Sequence, residues 1–198
     1  MVRLGENMRA SCVSSLVIAS VCLPLLMVFV SIALSPWFNI WYNALSDLGH
    51  AVNSDVAPIF NLGLVIGGYL VSVLSIKYMI LYDKGRSVIL AYAGFMLILI
   101  GVYDEIYGRL HFIVSVLFFL GIIAYLFYIS VKEKTIIPGT IAILQIIMWY
   151  LHLFRDLPPG AAIPELIAVF SFAPFYYSDY VKLNKELFMH TNNGRNFR

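Results

Sequence analysis

The chain has 198 residues, of which 61% are hydrophobic and 12% charged, with a formal net charge of +2. A soluble globular domain carries about 25% charged residues, so this chain has too few charges to cover a water-facing surface, and soluble classes are excluded. No basic stripe with interleaved aromatics occurs, and nucleic acid is not an expected partner.

A spanning helix needs about 20 mostly apolar residues, and six segments answer to that. The first covers about 11–35, with Pro24 as an expected kink. It is too long for the apolar core of a secretion signal and lacks an A-x-A site. Its two cysteines, Cys12 and Cys22, stand about 15 Å apart along a helix, too far to pair. Next comes "WYNALSDLGH" (41–50), where Trp41 and Tyr42 resemble an interface belt and Ser46, Asp47 and His50 crowd together.

The second segment covers about 58–82 and carries Gly63, Gly67, Gly68 and Ser72 on a small-residue face. Such a face serves either packing inside the bundle or a homo-oligomer seam through Gly63 and Gly67. Asn61, one turn below the surface, is expected to bond a neighbouring helix. The third segment covers about 88–103, the fourth 110–131, the fifth 136–154 and the sixth 163–180. Between the interfaces no ionisable residue stands near mid-membrane, and Gln145 is the main polar residue at depth. That argues against an ion-coupled transporter or a voltage-gated channel.

With six spans, Arg3, Arg9, Lys77, Lys84, Arg86, Lys132, Lys134, Lys182, Lys185, Arg195 and Arg198 fall on one side. Only Arg109 and Arg155 fall on the other. The positive-inside rule places both termini in the cytoplasm. The expectation is an all-α integral membrane six-helix bundle in the plasma membrane. It forms a single transmembrane domain over 1–198, with 181–198 as a cytoplasmic tail.

Three outer stretches concentrate polar chemistry. They are Ser46, Asp47 and His50; "YDEIYGRLH" with Asp104, Glu105, Arg109 and His111; and "LHLFRDLPPGAAIPE" with His152, Arg155, Asp156 and Glu165. On a helix, Ser46, Asp47 and His50 would share a face. A catalytic zinc takes three protein ligands and a water, and His50, His111, His152 and Asp47 are the candidate ligands. A metal-free site would use Ser46 as nucleophile beside Asp47 and His50. The plainer reading is structural. Ser46, Asp47, Asn53, Ser54 and Asp55 are good cap and turn residues. "RDLPPG" is a turn. Arg109 with Glu105, and Arg155 with Asp156, are expected interface ion pairs.

The run "ALSDLGH", then "FNLGLVIGG", "GVYDEIYGRLHFIVSVLFF" and "GAAIPELIAV" resembles a prokaryotic membrane family catalogued as domain of unknown function 998. Its pattern falls here on Ser46 to Gly49, Asp104 and Glu105, His111, Phe118 and Phe119, and Pro164 with Glu165. Where the family more often has Phe-Pro before the acidic turn, this chain has Val102 and Tyr103. The family is similar to DRAM and Sfk-type proteins. The resemblance implies six spans and a shared outer-face site, and no particular activity. A weaker resemblance, to alkaline ceramidases, fails at the paired histidines of the last span.

The site candidates are therefore Ser46, Asp47, His50, Asp104, Glu105, His111 and Glu165. The leading expectation is a structural or lipid-associated protein whose outer polar network contacts membrane lipids. The alternatives are a metal-dependent lipid hydrolase or transferase, and a small-solute transporter.

Overall fold

The computed structural model describes the backbone of residues 2–193 and the side chains of 12–186. The side chains of Arg3, Arg9, His190, Arg195 and Arg198 lie outside the described residues. The described chain is 83% helical with no strand. Six long helices form in order: α1 (Val2–Ala33), α2 (Ala57–Tyr82), α3 (Lys84–Val102), α4 (Arg109–Glu133), α5 (Ile136–Arg155) and α6 (Ala162–Asn193). Each reverses the one before, so one end of the bundle holds the start of α1 and the end of α6, with Asp83 and Thr135. The other end holds the three long loops. These are the terminal end and the loop end below.

Five helices, α1 to α5, are long and apolar enough to cross a membrane. Only 22–44% of each spanning window is buried, so most of their apolar surface faces outward. Water would penalise that surface at about 25 cal/mol per Å2, and hydrocarbon does not. The sixth segment does form a helix, but it does not qualify by hydropathy. Glu165, Tyr176, Tyr177 and Asp179 dilute it, and the bundle takes up most of that polarity. Tyr176, Asp179 and Tyr180 are buried where α6 packs on α1, α4 and α5. Helix α6 runs on past residue 181 to Asn193, so the expected tail begins as a continuation of the helix. Helix α3 begins at Lys84 rather than near 88, capped by the Asp83 carboxylate on the Arg86 amide at 3.1 Å.

Helix α2 uses its small residues on two faces. Gly63 and Gly67 lie against Met27 and Pro24 of α1, an engagement inside the bundle. Gly68 abuts Gly94 and Ile98 of α3. Below them α2 widens into a π turn over Ser75–Met79, and Ser87 donates to the Ser75 carbonyl at 2.8 Å.

At the terminal end a buried ionic cluster joins α3, α4 and α6. Arg86 Nη1 donates to Asp179 at 2.6 Å and Nη2 to Glu133 at 2.7 Å. The Tyr125 hydroxyl donates to the other Asp179 oxygen at 2.6 Å, and Lys182 holds Glu133. Asp83 sits at the edge of the cluster. Its burial opposes ionisation, but the Arg86 amide, the Tyr128 hydroxyl and the Lys132 and Arg86 charges outweigh that. Its carboxyl is held below the ordinary value.

At mid-depth Gln145 is buried, and its amide donates to Ser171 Oγ at 2.8 Å. Ser20 and Tyr176 join α1 to α6 at 3.0 Å.

Candidate functional site

The loop end is assembled from three stretches far apart in sequence. The first is a 3-10 turn, Leu45–Gly49, whose Leu45 and Leu48 are buried with Val28, Phe60 and Ala162. Burying such a leucine contributes about 1.5–3 kcal/mol, so this turn is a plug. Gly49 has no room for a Cβ beside Asn61 and Phe60, and Asn61 Nδ2 donates to its carbonyl at 2.8 Å. Asn61 thus ties α2 to the plug rather than to a neighbouring long helix.

The plug separates the three residues that looked like a triad. Asp47 turns back, accepting the Ala44 amide at 3.0 Å and Asn43 Nδ2 at 2.8 Å. His50 faces the loop, where the Val52 and Asn53 amides donate to its Nδ1, each at 3.3 Å. Ser46 alone turns inward and donates to Glu105 Oε1 at 2.5 Å. A 3-10 turn has three residues per turn, and this one ends at Gly49, so α-helical spacing does not apply.

The second stretch is the turn Glu105–Tyr107. Asp104 caps it by accepting the Ile106 amide at 2.9 Å, which leaves Glu105 free to reach Ser46. Gly108 follows at φ +49, a left-handed position that favours glycine. It turns the chain into α4, whose first turn presents His111. The His111 Nδ1 lies 2.7 Å from the Tyr103 carbonyl. Its Nε2 lies 3.6 Å from Glu105 Oε1 and 3.4 Å from Ser115 Oγ.

The third stretch docks on the first through its backbone. The Gly160 amide donates to the Trp41 carbonyl at 2.9 Å and the Ala162 amide to the Asn43 carbonyl at 3.0 Å. A Cβ at Gly160 would collide with Asn43. Glu165, in the first turn of α6, accepts the Leu45 amide on Oε2 at 2.7 Å. His152 Nδ1 lies 2.8 Å from the Pro158 carbonyl. The expected ion pairs of Arg109 with Glu105 and of Arg155 with Asp156 are absent among the described residues; both arginines are exposed.

Between these stretches, α4 and α5 enclose a cavity of about 410 Å3. Its polar end is Ser46, Glu105, His111, His152 and Glu165. Its walls include Phe112, Leu120, Ile146 and Leu153, each about half exposed on the bundle flank. The cavity therefore opens sideways, where lipid would stand. A second cavity of about 120 Å3 lies inward among α1, α2, α3, α4 and α6, and shares Ser46, Ser115, Phe119 and Glu165 with it.

Of the sequence candidates, Ser46, Glu105, His111, His152 and Glu165 meet at this cavity. Asp47, Asp104 and His50 do not line it; the first two cap turns. Among the described residues no three His, Cys, Asp or Glu side chains are grouped to hold a metal. The set His50, His111, His152 and Asp47 is thus dispersed. Sequence reasoning missed Ser115, four residues after His111, and Trp149, three before His152; helical spacing could have found both. It also missed the Arg86–Asp179 pair.

A helical bundle with these apolar spans defines a multi-pass membrane protein. The family model described as "Protein of unknown function (DUF998)" matches residues 17–177, and the chain belongs to that family. The matched region includes every residue at the polar end of the cavity. No curated protein and no solved structure matches the chain.

Proposed function

We propose that this is a lipid-associated plasma-membrane protein with six spans and both termini in the cytoplasm. Helix α6 counts as the sixth span because α1, α4 and α5 cover its polar side. Lys77, Lys84, Lys132, Lys134 and Lys182 gather at the terminal end, which supports a cytoplasmic placement. Trp37, Trp41 and Tyr42 are exposed at the loop end, at the level where aromatic side chains meet headgroups. A cysteine at Asn53 is expected to react with an impermeant thiol reagent added to intact cells; protection there would reverse the orientation.

The single observation that carries the lipid reading is the flank cavity. It has a polar end on the loop side and apolar walls that open on the bundle flank, which would put headgroup and acyl chain at those two ends. Ligand cavities pair apolar walls with a few placed polar groups in this way. Attachment of a photoactivatable phospholipid to α4 and α5, and its loss in Val116→Trp, tests this reading.

One contact favours a second reading, lipid hydrolysis. The Ser46 hydroxyl points at Glu105, a base within reach, with His111 beside it. Release of free fatty acid or headgroup from the retained lipid, abolished in Ser46→Ala, would establish that reading over simple retention.

A further inference from the structure

We infer that the flank cavity selects a lipid whose headgroup is a primary ammonium. The inference rests on the lipid-associated reading above and names the chemistry it requires. The polar end is rich in acceptors, and its hydroxyl donors, Ser46 and Ser115, already stand against Glu105 and His111. His111 and His152 each turn Nδ1 to a backbone carbonyl. A carbonyl only accepts, so Nδ1–H donates in both rings and neither histidine offers that nitrogen to the cavity; Nε2 of His111 stands 3.4 Å from Ser115 Oγ and 3.6 Å from Glu105 Oε1. Ser46 uses its hydroxyl proton on Glu105. Glu165 receives the Leu45 amide on one oxygen, and no hydrogen bond among the described residues reaches the other. Among the described residues no lysine or arginine lines the cavity.

Two carboxyl groups, Glu105 and Glu165, therefore face the cavity with no basic side chain among the described residues to balance them. An ammonium supplies three donors, one positive charge and no acceptor. Hydrogen bonds between charged partners of this kind are roughly twice as strong as neutral ones. A single metal ion fits less well, because no three ligating side chains are grouped around one point. A polyatomic headgroup spans the distances that an ion does not.

One donor is left over on the wall. The Trp149 Nε1–H is buried and has no hydrogen-bond partner among the described residues. It stands one helical turn deeper on α5 than His152, where the phosphodiester or ester oxygens of the lipid would follow its headgroup. The apolar walls below, Leu120, Ile123 and Ile146, take the start of an acyl chain.

The test uses the full chain purified in a neutral maltoside detergent, with bound lipid read by native mass spectrometry. The probes share acyl chains: phosphatidylethanolamine, phosphatidylcholine, phosphatidylglycerol and diacylglycerol. Phosphatidylethanolamine is expected to be retained at least about tenfold over phosphatidylglycerol, and also over phosphatidylcholine, which has the charge but no N–H. The double variant Glu105→Gln, Glu165→Gln should lose that preference while keeping its retention of diacylglycerol. Equal or better retention of phosphatidylglycerol or phosphatidylcholine overturns the inference, as does a preference that survives the double variant. Stoichiometric zinc that displaces lipid also overturns it. The wild-type series decides even where the double variant does not fold. If the wild type retains none of the four lipids, the lipid-associated reading itself fails, which is a separate result.

Discussion

Replacing Arg86 with alanine is expected to cost about 3–5 kcal/mol of stability, the range seen when one partner of a buried ion pair is removed. The guanidinium is 3% exposed and holds Asp179, itself 2% exposed, together with Glu133. Its face also lies over the Tyr82 ring at 5.1 Å. Without it, Asp179 keeps only the Tyr125 hydroxyl and a distant Lys182 amine at 3.8 Å. A carboxylate in that position is withdrawn from water with little to compensate it. The loss should appear as a large drop in the thermal unfolding temperature of the detergent-purified protein. The double change Arg86→Met, Asp179→Leu should recover much of it, because a buried pair replaced by apolar side chains is often neutral. An Arg86→Ala protein as stable as the wild type would show that the cluster does not hold α3, α4 and α6 together.

The second large effect belongs to the crossing of α2 and α3. A Cβ at Gly94 would lie 2.7 Å from the Gly68 carbonyl and 2.9 Å from the Ser72 amide. These are backbone atoms and cannot turn aside. Without a hydrophobic force between spans, close backbone approach supplies much of the packing energy. Gly94→Val is therefore expected to destabilise by about 3 kcal/mol or more, the upper end for overpacking. Gly108→Ala is the contrast in space: nothing lies within 4 Å of its Cβ, so only its backbone angle is strained. A Gly94→Val protein that unfolds with the wild type would contradict the crossing.

Much of the fold could be read from the sequence because spans are set by length and composition. The second, fourth and fifth segments fall within two residues of their helices. The sixth was harder. Its polar groups are satisfied by helices that no local window can see. Helix α3 starts early for the same reason: Arg86 reads as a flanking charge until its partner, 93 residues away, is known. At the site, the three stretches were legible as polar islands. The meeting of Ser46, Glu105, His111, His152 and Glu165 followed from their common level on the bundle. The separation of Asp47 and His50 was not legible, because spacing rules assume an α-helix and the plug is a 3-10 turn. Glycines explain part of what was hidden. Gly49 and Gly160 matter for the backbone and side chains that press on them, and the sequence does not name those neighbours.

Helix α4 joins the two ends. Its loop-end turn carries His111 and Ser115 into the cavity, and its terminal end carries Tyr125 and Glu133 into the ionic cluster. A stable cluster thus fixes the helix that forms one wall of the flank cavity.

We propose that the α4–α5 cavity holds a lipid. A phospholipid with a photoactivatable group near the top of its acyl chain tests this most directly, with peptide mapping of the attachment sites on the membrane-embedded full chain. The expected result is attachment concentrated on residues 112–123 and 146–153, and its loss in Val116→Trp, where an indole occupies the groove. Attachment spread evenly over all exposed spans, and unchanged by Val116→Trp, would contradict it.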